Sequence, residues 1–160
     1  MIKKVVLWVL IIICMGAIFF FSSQEAAESN QTSSAFIYNI VRLLDVKNSL
    51  TEVQIQQRCS LLHNFVRTAA HFSIFALLGF LISLLLNEYG FDGRGKMLCT
   101  VLAAFLYACS DEFHQSFVPG RSAQISDIVT DTLGAFCGGI AAIILLLLIK
   151  RFSKKSHGLS

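Results

Sequence analysis

Apolar residues in this chain run in long blocks, with no sustained alternation and no narrow helical stripe of the kind a soluble domain shows. Four blocks approach the roughly 20 residues that a helix needs to cross a bilayer. They occupy residues 5–21, 69–86, 97–115 and 128–149. The first follows Lys3 and Lys4 like a signal peptide, but its apolar run is too long and Phe-Phe-Phe-Ser-Ser-Gln is a poor cleavage site, so an uncleaved anchor is expected. The pattern predicts an all-α integral membrane protein of one domain, residues 1–160, with four transmembrane helices. Between the first two spans lies an outer segment, residues 22–68, in which Phe36, Ile37, Ile40, Val41 and Leu44 recur at helical spacing and predict an interfacial amphipathic helix. Ser49 and Glu52 have capping-box spacing for a further helix running toward the second span. Gly90, Gly93 and Gly95 mark a short turn at 88–96, and residues 150–160 form a basic tail.

Composition agrees with this picture. Of 160 residues, 55% are hydrophobic and 14% charged, where a soluble domain carries about 25% charged residues. So large an apolar excess does not fit inside one 17.7 kDa core, and disorder and an ordinary cytosolic enzyme are excluded with it. The five cysteines have no metal or redox spacing and read as small buried hydrophobes.

Placing the charges gives an orientation. With a cytoplasmic N-terminus, the inner side holds Lys3, Lys4, Arg94, Lys96, Lys150, Arg151, Lys154 and Lys155, against Arg42, Lys47, Arg58, Arg67 and Arg121 outside. The excess predicts that both termini are cytoplasmic. The net charge of +3 is then of the leaflet-binding kind, and no nucleic-acid partner is expected.

The third span carries the chemistry. Residues 97–110 supply only about 21 Å of helix, short of the roughly 30 Å hydrocarbon core. The helix must continue through Asp111, Glu112, Phe113, His114 and Gln115. His71 falls about one turn inside the same boundary with Arg67 at it, and Asp127 and Asp131 open the fourth span from that side. Arg67 and His71, Asp111 and Gln115, and Asp127 and Asp131 are each four residues apart, so each pair shares a helix face. Ionisable groups this deep tend to face the bundle interior. An outward-facing polar pocket is expected, lined by Arg67, His71, Asp111, Glu112, His114, Gln115, Arg121, Asp127 and Asp131. Ser126 and Asp127 also sit where a helix N-cap belongs. Gly134-x-x-x-Gly138 allows another helix to come close, and could serve a second copy of the chain.

Several of these residues resemble the VanZ-like family of bacterial membrane proteins. The resemblance covers roughly residues 5–149. It begins with Phe-Ser-Ser-Gln at 21–24 and Arg67-x-x-x-His71. It is most specific at Asp-Glu-Phe-His-Gln-Ser-Phe-Val-Pro-Gly-Arg, residues 111–121, followed by Ser126-Asp127 and Gly134. In that family a tyrosine usually stands where this chain has Phe75, and an asparagine where it has Asp131. The founding member is associated with resistance to the glycopeptide teicoplanin, so the resemblance implies a link to the cell envelope. It assigns no catalytic residues.

Three functional classes fit the residues. As an enzyme, the pocket would use Asp111, Glu112, His71 and His114 as candidate acid–base groups, with Arg67, Gln115, Arg121, Asp127 and Asp131 binding substrate. Ser110, one turn from His114, is a conceivable nucleophile. A metal held by His71, His114 and the carboxylates would lack any dense motif such as His-Glu-x-x-His, and no metal or cofactor is expected. As a binding module, the same pocket would hold a membrane lipid headgroup, a wall precursor or an amphiphilic antibiotic unchanged. A proton-coupled transporter would want a mid-membrane carboxylate, and none is found.

Overall fold

The absence of proline and glycine between residues 52 and 78 lets one helix run where the sequence suggested two segments. The computed structural model describes residues 1–23, 38–39, 41–43, 51–119, 121 and 123–157. Four long helices follow one another: α1 (Ile2–Ser22), α2 (Glu52–Glu88), α3 (Gly93–Gln115) and α4 (Ile125–His157). Every regular element among the described residues is helical. Helices α1, α2 and α4 are long and apolar enough to cross a membrane. Helix α3, which carries Arg94, Lys96, Asp111 and Glu112, is not one of them on hydropathy alone.

Two boundaries differ from expectation. Helix α2 begins at Glu52, so residues 52–68 belong to the same helix as the second span. Its N-cap is Thr51, whose Oγ1 accepts from the Gln54 amide while the Gln54 side chain accepts from the Thr51 amide. This Thr-x-x-Gln box satisfies two end groups reciprocally and takes the place predicted for Ser49 and Glu52. Helix α4 starts three residues before the expected span, which puts Ser126 and Asp127 in its first turn. It also continues into the basic tail, where cations suit the negative end of the helix dipole.

Of the predicted amphipathic stripe, Phe36, Ile37, Ile40 and Leu44 lie outside the described residues, as do Ser49 and Gln24. Val41 is buried against Ile55 of α2, beside Tyr38, Cys59 and Leu62. Its apolar contact is therefore protein.

The α2–α4 pair makes the most extensive contact in the molecule. Small residues let the two backbones meet: a Cβ added to Gly79 would run into the Ala135 carbonyl, and one added to Gly138 into that of Ala76. Gly134 lies in the same way against Phe72. The glycine face that the sequence offered to a second copy is therefore filled by α2 of the same chain. On the other side of α2, Ile11, Cys14 and Ile18 of α1 pack against Phe75, Leu78, Leu81 and Leu85, with Ala108 of α3. Helix α1 touches α3 only sparsely. Outward from this core, large side chains such as Leu10, Ile12, Leu77, Leu102, Leu106, Leu133 and Leu147 are exposed. A surface of that kind suits lipid.

The α2–α3 turn is tight. Gly90 sits at φ 85°, a left-handed conformation that favours glycine. Near this end the Lys96 ammonium donates to Asn87 Oδ1 at 3.2 Å, Trp8 Nε1–H donates to the Tyr89 hydroxyl at 3.3 Å, and Lys4 lies 4.1 Å from the Tyr89 ring centre.

Candidate functional site

At the opposite end, three helices bring their ionisable residues together. Arg67 and His71 point from α2, Asp111, Glu112 and Gln115 from α3, and Asp127 and Asp131 from α4, the four-residue spacings placing each set on one face. Arg67 pairs with Asp127 at 3.4 Å, both side chains partly exposed. One turn deeper, His71 Nδ1 lies 3.7 Å from Asp131 Oδ2, and Asp131 is 3% exposed. The two pairs form consecutive rungs between α2 and α4, above the glycine contacts.

Helix α3 closes the cluster from the side. Asp111 and Gln115, both buried, are joined by a bond from the Gln115 amide to Asp111 Oδ2 at 3.0 Å. The Gln115 carbonyl in turn accepts from Arg121 Nη1 at 3.3 Å. The buried Glu112 carboxylate accepts from the Gln124 backbone N–H, tying the end of α3 to the residue that precedes α4. Arg121 also donates through Nη2 to the Phe21 carbonyl at 3.4 Å, one of the last carbonyls of α1, which have no partner within their own helix. Burial pushes the Arg121 guanidinium below its usual range, and the nearby Arg67 charge adds to the shift, while Asp111, Glu112 and Asp127 oppose it.

All nine sequence-predicted site residues thus lie at one end of the helices, and eight of them fall into these pairings. His114 is the exception, with its ring stacked on Phe19 of α1, centroids 4.3 Å apart. The expected open lining is replaced by a largely enclosed cluster: Asp111, Glu112, Gln115 and Asp131 are buried, and Arg67, Arg121 and Asp127 form a half-buried rim. Ser110 is exposed, and no hydrogen bond joins it to His114 among the described residues.

Helix α1 contributes groups outside the predicted pocket lining, although Phe21 and Ser22 belong to the Phe-Ser-Ser-Gln element that carries part of the resemblance. Besides the Phe21 carbonyl and the Phe19 ring, Ser22 is fully buried and its Oγ has no partner among the described residues. The Ser-Ser pair at the end of an apolar run was the available signal. Phe75 is completely buried and lies 6.1 Å from the Tyr107 ring, whose hydroxyl donates to the Met15 carbonyl at 2.7 Å.

The sequence held no dense ligand motif, yet the fold assembles a donor set from separate helices. One ligand atom each from His71, Asp111 and Asp131 lie within 4.8 Å of one another. Among the described residues, Asp111 Oδ1 and Asp131 Oδ1 are buried without a hydrogen-bond partner, as are His114 Nε2 and Arg121 Nε.

Below the cluster, α1, α2 and α3 enclose an apolar groove of about 440 Å3. Trp8 and Tyr89 line one end and Met15 and Tyr107 the other, with Leu78, Ile82, Cys99 and Ala103 among the residues between. Tyr107 is one helical turn from Asp111, so the groove ends just beneath the polar cluster.

No curated protein and no solved structure is significantly similar to the chain. The family model described as VanZ/LLP1 matches residues 7–148, from the first turns of α1 nearly to the end of the apolar part of α4, and the chain belongs to the VanZ/LLP1 family.

Proposed function

We propose that this protein binds or modifies an envelope amphiphile, its headgroup at the Arg67–Arg121–Glu112 end of the cluster and its acyl part in the groove below. The observation that carries this reading is the adjacency of the two: an apolar channel between helices ends one turn from a group of buried carboxylates rimmed by two arginines. A membrane surrounds such a groove with acyl chains, and the arginines match the phosphate or carboxylate of a headgroup.

Four spans with both termini cytoplasmic are part of the proposal. Helix α3 has 23 residues, about 35 Å, enough for the hydrocarbon core. Its Lys96, Thr100, Asp111 and Glu112 are turned inward, whereas Leu98, Leu102, Phe105 and Leu106 face out. The unequal split of Lys and Arg supports a position of the cluster at the outer leaflet. A lipid, a lipid-linked wall precursor or a glycopeptide such as teicoplanin belongs to the ligand class. Binding without turnover needs nothing beyond this arrangement, and catalysis would draw on the same carboxylates.

Mass spectrometry of lipids and wall precursors in cells with and without the protein, and of lipid retained by the purified protein, tests the reading. Retained or altered amphiphile is expected, and Glu112→Gln or Arg121→Gln at normal expression should diminish it. Unchanged envelope lipids, unchanged drug sensitivity and no retained amphiphile would refute a functional pocket. Labelling of a cysteine at position 121 from the cytoplasm would overturn the orientation.

A further inference from the structure

We infer that His71, Asp111 and Asp131 form a binding site for a divalent cation of the Mn2+ or Zn2+ type. The inference stands independently of the amphiphile reading, because it rests on the donor set alone.

Each of the three residues comes from a different helix, α2, α3 and α4, and their ligand atoms lie within 4.8 Å of one another. Ligand atoms around a first-row ion at roughly 2.0–2.2 Å sit about 3–4.4 Å apart, so small side-chain rotations bring this set to coordination distance. The 3.7 Å between His71 Nδ1 and Asp131 Oδ2 already lies in that range. Both aspartates are 3% exposed, and each keeps one carboxylate oxygen buried without a hydrogen-bond partner among the described residues. Buried carboxylate oxygens ordinarily find a donor.

Neither aspartate forms an ion pair with Lys or Arg among the described residues. The nearby guanidinium of Arg121 donates through Nη1 and Nη2 to the Gln115 and Phe21 carbonyl oxygens, and that of Arg67 donates to Asp127. Two carboxylates therefore face one imidazole without a Lys or Arg bonded to either among the described residues, and a doubly charged ion suits that arrangement. Gln115 holds Asp111 by its other oxygen, as a supporting shell holds a ligating carboxylate. The mixed imidazole and carboxylate donors suit Mn2+ and Zn2+, and three protein ligands leave positions open for water or another oxygen ligand.

The test uses the full chain in detergent, stripped with chelator and titrated with Mn2+, which avoids the soft thiols that would compete for Zn2+. Bound Mn2+ is read by electron paramagnetic resonance and by elemental analysis. One ion per chain is expected, together with a rise in Tm. Asp131→Asn and His71→Gln should each weaken binding at least about tenfold, whereas Asp92→Asn, at the opposite end of the helices, should retain it. Gel filtration and circular dichroism confirm that the variants are folded, and His71→Gln carries the test if Asp131→Asn is not. A stoichiometry near zero in the folded wild-type chain, or equal Mn2+ affinity in wild type and folded variants, would overturn the site.

Discussion

The two sides of α2 are built on opposite principles. Toward α4, glycines remove side chains until backbone meets backbone, at Gly79 on Ala135 and Gly138 on Ala76. Toward α1 and α3, large side chains hold the helices apart and enclose a groove of about 440 Å3. Where helices associate without the help of water, close backbone approach supplies van der Waals contact that lipid cannot. The α2–α4 seam has that contact from Phe72 to Gly79, and the side toward α1 and α3 forgoes it. One face of α2 therefore sets the geometry of the charged rungs, while the other borders an open groove.

The largest effect should come from filling the seam. Gly138→Leu forces a side chain into the Ala76 carbonyl and should cost more than about 3 kcal/mol, above the usual penalty for overpacking. Loss of monodisperse protein on gel filtration is the expected result, and a normal profile would mean that the seam is softer than its geometry implies. Filling the groove should behave differently. Ala103→Trp should leave the fold intact and lower amphiphile retention by roughly tenfold, equivalent to about 1.4 kcal/mol. Equal retention would remove the groove from the site.

A smaller effect is expected at the turn joining the two sides. Gly90→Ala should destabilise by about 1 kcal/mol through its left-handed backbone alone, read as a modest fall in Tm with retention unchanged. The smallest belongs to the outer rung. Arg67 and Asp127 are 35% and 24% exposed in their side chains, and a double-mutant cycle to alanine should return a coupling below about 1 kcal/mol. A much larger coupling would show that the rim is shielded from water.

The apolar runs at 5–21, 69–86 and 128–149 made three spans legible, because a helix in lipid must be apolar over most of its surface. The end of α3 was legible for a different reason. A 14-residue run is too short to cross, which pulled Asp111 through Gln115 into the helix that the structure shows ending at Gln115. The start of α2 was obscured because Ser49–Glu52 and Thr51–Gln54 offer the same capping spacing and polar residues fill the turns that follow. Within the site, the four-residue spacings anticipated which residues share a face, and the rungs Arg67–Asp127 and His71–Asp131 follow from them. The Phe-Ser-Ser-Gln element marked the end of α1, but the contacts α1 makes there were not legible. A carbonyl such as that of Phe21 has no signature in the sequence, and the stacking of His114 on Phe19 depends on how two distant helices meet.

The rungs between α2 and α4 join residues 60 positions apart, with all of α3 lying between them in the chain. Asp111 is therefore synthesised, and must be accommodated, before Asp131 emerges. During that interval α2 and α3 carry their ionisable groups without the helix that completes the cluster. Assembly of the site is a late event in biogenesis, and a chain cut short before α4 would leave its most polar helix faces to the lipid or to quality control.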